Sequence, residues 1–389
     1  METEGRVGVV GGPADFAGWR SRALEHPLGR AMASVASMGW SLGSGARGWA
    51  YRLGWLSVES VGVPVVSVGG LLAGGTGKTP LVGEVARWFA RQPGTKVAVV
   101  SRGYGGNWRG PGPLLVSDGR RVLADASVAG DEPVMLAREL GNRARVVVGR
   151  RRVLAARYAR ERLGANLVVL DDGFQHRALA RDIDLLIVPD EGAAGRGELA
   201  PIPRGLLRES LWAASRADLK VRLLPIAGSP RSRTAESGPV TPDACFRLEA
   251  NALEPLARWR DFGVATDGPR SEEESVAWLR GRPVGVLATI ARPERFLADL
   301  RSHGAQVVAQ CLGADHQRFA PDRVQDFLET TKARGGVCVV TTGKDAVKLP
   351  RLAGDVRILT RRVVWEDGGV AVDRIFGELL RALPAAEET

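Results

Sequence analysis

The chain has 389 residues, 44% of them hydrophobic and 25% charged, a make-up that belongs to folded globular proteins and excludes pervasive disorder. That length exceeds what one hydrophobic core usually supports, so two domains with a cleft between them are expected. The 54 Lys and Arg against 44 Asp and Glu leave a net charge of +10. Such an excess favours anionic partners such as nucleotides, anionic lipid surfaces or nucleic acid without choosing among them, and a drift toward Arg explains it equally well, since Lys occupies only six positions. Cys245, Cys311 and Cys338 stand far apart in no ligand-like spacing, which excludes a disulfide framework or a structural zinc and predicts a reducing compartment. No secretory-type start and no apolar run of membrane-spanning length is present, so neither export nor a conventional span is expected.

In chain order, Pro27 suits a helix start, and Leu28, Met32, Val35, Met38 and Leu42 recur at helical spacing, with Trp49, Leu53 and Leu56 repeating the pattern. Two amphipathic stretches interrupted near Gly43 and Gly45 are predicted. Trp40, Trp49, Tyr51 and Trp55 beside Arg47 and Arg52 suit the interfacial zone of a bilayer; the other reading is that the stripe packs on the first domain. Apolar runs at Val63–Val68, Val97–Ser101, Arg145–Val148, Leu167–Leu170 and Ile183–Val188 then alternate with helical patterns at Leu81–Arg91 and Arg150–Leu163, the mark of a parallel α/β domain. From Leu224 to Asp243 the chain turns to Ser, Pro, Thr and Gly, which reads as a connection. Beyond it, strands at Val284–Thr289, Gln306–Gln310, Val337–Thr341 and Val356–Thr360, with helices at Pro293–Ser302 and Pro321–Ala333, predict a second α/β domain. The organisation expected is an amphipathic segment over residues 1–60 and two domains over 61–225 and 226–389.

The strongest local signal is Gly74-Gly75-Thr76-Gly77-Lys78-Thr79-Pro80, set between a strand and a helix. Glycines let the backbone N–H groups curl around phosphate oxygens, the helix N-terminus adds positive potential, Lys78 reaches the terminal phosphates and Thr79 can ligate Mg²⁺. The strict pattern would put its first glycine at Leu72, although Gly69 and Gly70 stand just upstream. Asp171-Asp172-Gly173-Phe174-Gln175-His176 leaves the end of an apolar strand, where catalytic groups of open sheets gather. Asp171 and Asp172 read as acids near a nucleotide-bound cation or as caps of the next turn. His176 reads equally as a surface histidine or as a contact to nucleotide or substrate phosphate. Asp131 and Glu132, in Gly130-Asp131-Glu132-Pro133, open a helix and read as caps, or as the carboxylate that phosphoryl transfer needs to prepare an attacking hydroxyl. Ser101-Arg102-Gly103-Tyr104-Gly105 reads as a substrate wall or a plain turn. His316, beside Asp315, and the stretch Thr341–Ala346 stand at strand ends of the second domain as further candidates.

Taken in order, these motifs resemble those of the tetraacyldisaccharide 4'-kinase family over roughly Val63 to Leu349. Gly-Asp-Glu-Pro at 130–133, Val-Val-Val-Gly-Arg at 146–150, Ala-Arg-Pro-Glu-Arg-Phe at 291–296, Asp-His at 315–316 and Lys-Asp-Ala-Val-Lys-Leu at 344–349 complete the set. The resemblance implies two Rossmann-like α/β/α domains of the P-loop NTPase kind with mainly parallel sheets. It implies an ATP-dependent phosphotransferase acting on the 4'-hydroxyl of a tetraacylated glucosamine disaccharide 1-phosphate in lipid A biosynthesis, with ATP and Mg²⁺ as cofactors. Carried over residue by residue, it makes Asp131 the catalytic base and His316 its partner, and groups Glu132, Asp171 and Asp172 around Mg²⁺. Arg208 and Glu209 would lie in the active site, and Gln175 and His176 near the nucleotide. A peripheral position on the cytoplasmic face of the bacterial inner membrane follows, with the lipid disaccharide as substrate, no nucleic acid and no obligate protein partner.

The chain departs from the family pattern at Gly70, where Asn is usual, at Gly343, where Glu is usual, and through residues 195–203, which carry an insertion of about two residues. These positions bear on substrate contacts rather than on the phosphate loop. Two rival classes are weaker. A partition or metallochaperone ATPase usually carries a second lysine early in the loop, where Leu72 and Ala73 stand here, and a nucleic-acid-binding module lacks any recognition motif.

Overall fold

The computed structural model describes residues 24–190, 196–225, 238–260, 271–350 and 354–382. Its first lobe is built on β1 (Val65–Gly70), β2 (Val97–Ser101), β3 (Leu114–Ser117), β4 (Ala144–Val148), β5 (Leu167–Asp171), β6 (Ile183–Ile187) and β7 (Leu219–Leu223). β1, β2, β5 and β6 are buried at every position, as strands covered on both faces must be, which is why they read as unbroken apolar runs. The second lobe is built on β8 (Ala244–Pro255), β9 (Pro283–Ala288), β10 (Gln306–Leu312), β11 (Cys338–Thr341) and β12 (Val356–Asp367).

These strands form one hydrogen-bonded sheet in the order β10-β9-β11-β12-β8-β7-β6-β1-β5-β2-β4-β3. All neighbours are parallel except β12 with β8 and β3 with β4. The twelve-residue strands β8 and β12 pair along most of their length, and their outer ends continue into β7 and β11 respectively. The long antiparallel pair thus carries the sheet from one lobe into the other. Most of the predicted connection at 224–243 lies outside the described residues.

Helices cover both faces. α1 (Pro27–Arg52) lies on the first lobe, followed by α2 (Lys78–Ala90), α3 (Asp131–Leu140), α4 (Arg152–Leu163), α5 (Pro293–Ser302), α6 (Pro321–Ala333) and α7 (Gly369–Arg381). Among the described residues three apolar clusters flank the first lobe's strands and two flank the second's. α3 serves both lobes: Leu136 and Leu140 pack with the first, and Met135 joins the second. α7 follows the second lobe in sequence yet returns to the first, where Phe376 meets Phe89 with ring centroids 4.9 Å apart and Asp373 accepts from the Trp88 indole at 2.8 Å.

The N-terminal prediction needs correction, because α1 is one uninterrupted helix of 26 residues that passes through Gly43 and Gly45. A glycine inside a helix costs about 1 kcal/mol relative to alanine, but it leaves the backbone hydrogen-bond ladder intact, and tertiary anchors outweigh that cost here. Ser37 donates to the Pro201 carbonyl and Trp40 to the Arg208 carbonyl, each at 2.8 Å. Gly48 lets the Arg177 guanidinium approach, for a Cβ there would stand 2.8 Å from its Nη1. The helix therefore rests on its small residues, with Ser37 and Gly48 buried, and turns its large apolar residues outward. Leu28, Met32, Val35, Met38 and Leu42 are 64–73% exposed, so the stripe does not pack on the first lobe.

Gly69 positions the loop that follows β5. A Cβ at Gly69 would meet the Phe174 Cβ at 2.4 Å, and Phe174 is fully buried. Gly69→Ala is expected to cost about 1–3 kcal/mol through overpacking and to lower the thermal midpoint by several degrees, read by circular dichroism.

Candidate active site

The carboxyl ends of β1, β2 and β5 converge beside β1, where the strand order reverses direction, and this is where open parallel sheets place ligands. After β1 the chain enters the glycine loop, in which Gly74 and Gly77 adopt left-handed φ values of 104° and 81°. Gly77 is also the N-cap of α2, which begins at Lys78 rather than near Leu81. Lys78 and Thr79 therefore stand on the first turn, where free N–H groups and the helix dipole favour anions. Nothing lies within 4 Å of a Cβ built on Gly74 or Gly75, so this stretch borders open space. Lys78 Nζ donates to Thr76 Oγ1 at 3.4 Å and lies 3.7 Å from Asp172 Oδ1.

The adjacent acids at the end of β5 differ in charge state. Asp171 is buried and accepts a hydrogen bond from Ser101 Oγ at 2.8 Å. Burial, followed by the neighbouring charges of Glu132 and Asp172, pushes its carboxyl up to about 7 despite Ser101 and Lys78. Burial acts the same way on Asp172, but Lys78 and Arg208 outweigh it and hold that carboxyl below the usual range. Arg208 Nη1 donates to Asp172 Oδ2, while Asp172 Oδ1 is buried without a hydrogen-bond donor. Asp172 has φ 51° and His316 has φ 63°; they are the two non-glycine residues with positive φ among those described. Each conformation costs about 1–3 kcal/mol and persists where surroundings enforce it.

An unmet buried carboxylate oxygen and a neighbour driven toward neutrality by like charges are what a divalent cation would relieve. Among the described residues, no three His, Cys, Asp or Glu are close enough to hold a metal by themselves. The residues present therefore fit Mg²⁺, which keeps several waters and takes one or two carboxylates together with phosphate oxygens.

Asp131 and Glu132 form the first turn of α3, and Gly130, at φ 96°, is the N-cap. Asp131 does not cap the helix; its Oδ2 lies 3.0 Å from His316 Nδ1, contributed by the loop after β10. Burial works against its charge, but the His316 hydrogen bond and then the Lys348 and Lys344 charges hold its carboxyl below the usual range. Lys348 Nζ is buried 3.7 Å from the same Asp131 oxygen and 2.9 Å from Asp345 Oδ1, and it also donates to Thr289 Oγ1. Lys344 Nζ reaches Asp315 Oδ1 at 2.8 Å, His316 Nε2 at 3.2 Å and Glu132 Oε1 at 3.6 Å. Tyr104, from the loop after β2, lies with its ring 5.5 Å from that of His316. The ends of β9, β10 and β11 thus face the same cleft as those of β1, β2 and β5.

The remaining candidates are close by but differently engaged. Gln175 donates to the Gly70 carbonyl at 3.2 Å, tying the β5 loop to β1. His176 has a buried Nε2 with no hydrogen-bond partner, and burial followed by Arg152, Arg181, Arg47 and Arg102 lowers it to about 4, so it is neutral. Glu209 is clamped by Arg177 at 3.0 Å and Arg216 at 2.8 Å. It fixes the strand of loop that bears Arg208, whose own N–H donates to the Leu71 carbonyl at 2.8 Å. Ser101 and Lys344 lie in stretches that the sequence offered as candidates, and Lys344 and Lys348 in a motif that the resemblance matched, but none of the three was given a role of its own.

A strand, glycine loop and helix with acids on the neighbouring strand end, facing a hydrogen-bonded Asp–His pair, define a phosphotransferase of the P-loop class. A family model for tetraacyldisaccharide-1-P 4'-kinase, LpxK, matches residues 30–373. The chain is 38% identical over 375 residues to a tetraacyldisaccharide 4'-kinase of Anaeromyxobacter dehalogenans, covering 95% of this chain and 92% of that protein. It is 37% identical over 323 residues to the one of Geobacter metallireducens, covering 82% and 88%. A crystal structure of LpxK from Aquifex aeolicus in complex with ATP superposes with a TM-score of 0.68 at 26% identity, over 93% of this chain and 99% of that one. The chain belongs to the tetraacyldisaccharide-1-phosphate 4'-kinase family.

The raised Asp171 carboxyl gives a pH signature. Its folded value of about 7 exceeds the ordinary 3.8, so the stability contributed by its protonated form is complete below the lower value and is lost as pH rises through the upper one. Asp171→Asn stays neutral throughout. In EDTA it is expected to melt higher than the parent above neutrality, with the difference closing toward about pH 4. Thermal melts across that range check it.

Proposed function

We propose that this chain transfers the γ-phosphoryl group of ATP to the 4'-hydroxyl of a tetraacylated glucosamine disaccharide 1-phosphate. The observation that carries the reading is the 3.0 Å contact between Asp131 and His316, joining the two lobes beside the glycine loop. The alcohol's proton leaves late in a loose transition state, so a positioned carboxylate is sufficient as acceptor. Asp131 has that role, and His316 orients it through their hydrogen bond. Lys78 and the glycine loop's N–H groups hold the phosphates, and Arg208 fixes Asp172 in its strained conformation. Thr79, Glu132 and Asp172 would hold Mg²⁺, which when bound neutralises charge on the phosphates. Because base and partner come from different lobes, a closed arrangement completes the site and excludes the water that would otherwise hydrolyse ATP.

Asp131→Ala and His316→Ala are each expected to lower turnover by roughly 10²–10⁴-fold with an unchanged melting curve. Transfer of ³²P from ATP to the disaccharide 1-phosphate, with Lys78→Ala as the inactive control, reads this. ATP hydrolysis indifferent to the acceptor would favour a P-loop ATPase switch instead.

On the same reading, α1 meets the cytoplasmic surface of the inner membrane. No helix among the described residues is long and apolar enough to cross it, and the outward row of Leu28, Met32, Val35, Met38 and Leu42 supports interfacial contact. Arg47 and Arg52 lie over the Tyr51 and Trp49 rings at 5.7 Å, the pairing of cations and aromatics that headgroups accommodate. Met32→Glu combined with Met38→Glu is expected to abolish sedimentation with anionic vesicles while ATP binding persists. Equal sedimentation would remove the contact.

A further inference from the structure

We propose that Lys344 is a positioning residue that holds the His316 ring in its Nδ1–H tautomer, so that its proton faces Asp131; the inference rests on the kinase reading above. The argument is one of donors and acceptors. An ammonium has three donors and no acceptor, and Lys344 Nζ stands 3.2 Å from His316 Nε2. The nitrogen that faces it must offer a lone pair. The ring's proton then sits on Nδ1, 3.0 Å from Asp131 Oδ2, and this hydrogen bond is donated to the carboxylate. The opposite tautomer would set an N–H against an ammonium and leave two lone pairs facing each other at Asp131.

Among the described residues no other group competes for Nε2. Asp315 Oδ2 is 3.9 Å from it, beyond hydrogen-bond reach, and Asp315 Oδ1 is taken by Lys344 at 2.8 Å. Glu132 Oε1, 3.6 Å from Lys344 Nζ, is a further anionic neighbour of the ammonium. The charged and titratable groups around the ring are thus Asp131 and Glu132 from α3, Tyr104 from the loop after β2, Asp315 from its own loop, and Lys344 and Lys348 from the turn after β11. The left-handed backbone of His316, at φ 63°, aims the ring into this frame.

The positioning role separates Lys344 from a simple brace. During transfer the hydroxyl's proton passes to the Asp131 side while Nε2, opposed by the ammonium, gains none. The imidazole therefore acts as a fixed donor rather than as a proton store.

The chain has four histidines, so ring-nitrogen NMR of ¹⁵N-imidazole-labelled protein, assigned with His316→Gln, reads the tautomer directly without any turnover. The parent is expected to show His316 neutral with the proton on Nδ1. Lys344→Met should show a tautomer mixture or an imidazolium, and Lys344→Arg, which retains the donor, should restore the parent pattern. In the phosphotransfer assay Lys344→Met should lower kcat by about tenfold or more with KM for ATP changed by less than about twofold, and Lys344→Arg should recover most of it. The Mg²⁺ concentration for half-maximal rate should stay the same, which distinguishes the role from one through Glu132. A parent tautomer with the proton on Nε2, or unchanged His316 nitrogens in Lys344→Met, overturns the proposal. Failure of the parent to phosphorylate the acceptor overturns the kinase reading and leaves the NMR result standing.

Discussion

Asp131 is buried at the start of α3, and burial alone would drive its carboxyl toward neutrality. The groups that reverse this balance, His316, Lys348 and Lys344, all belong to the second lobe. The ionised state of Asp131 is therefore a property of the two lobes together. The fold serves that requirement: neighbouring strands run mostly parallel within each lobe, the antiparallel β8–β12 pair reverses direction between the lobes, and the carboxyl ends of both sets meet at one cleft. α3 is the shared element, with Leu136 in one lobe's core and Met135 in the other's. Gly343 belongs to the same contact. A Cβ there would meet Met135 Sδ at 3.1 Å and Glu139 Oε1 at 3.2 Å, so the missing side chain lets the turn bearing Lys344 and Lys348 lie against α3.

Asp171 and Asp172 show how one strand end sustains two opposite environments. One faces Ser101 and other carboxylates and is pushed up; the other faces Lys78 and Arg208 and is held down. Local stability is lost at both, through burial of charge at the first and a left-handed backbone at the second. Such local conflicts are tolerated where a ligand later resolves them. The supporting layer is extensive, for Glu209 with Arg177 and Arg216 fixes the Arg208 loop, and Gln175 ties the acidic loop to β1.

Much of this was legible in the residues, for identifiable reasons. Buried parallel strands must be apolar throughout, so β1, β2, β4, β5, β6, β9 and β11 announced themselves as Val-rich and Leu-rich runs. Proline at the first turn marked α5 and α6 at Pro293 and Pro321 to the residue. The phosphate loop, Asp171, Asp172 and Asp131 stood in short local motifs. β8 escaped because its Arg247, Glu249 and Asn251 break the apolar pattern, and its length matters only through pairing with β12, more than a hundred residues away. α7 escaped because its partner Phe89 is more remote still in the chain. Gly43 and Gly45 misled because what holds α1 together there is contact with Pro201, Arg208 and Arg177, which no local pattern reveals. The cations that hold Asp131 ionised were hidden likewise, since Lys348 acquires its meaning only when the lobes meet.

The small-residue face of α1 has a kinetic consequence. By seating the helix directly on the loop that carries Arg208, and through it on the glycine loop, Ser37 and Gly48 leave no intervening layer between the outward apolar row and the cleft. On the interfacial contact proposed for that row, the enzyme meets its acceptor as a two-dimensional solute, with acyl chains still in the bilayer and only the sugar raised. Its rate then follows the mole fraction of acceptor in the surface, and inert lipid added at constant bulk acceptor acts as a diluent.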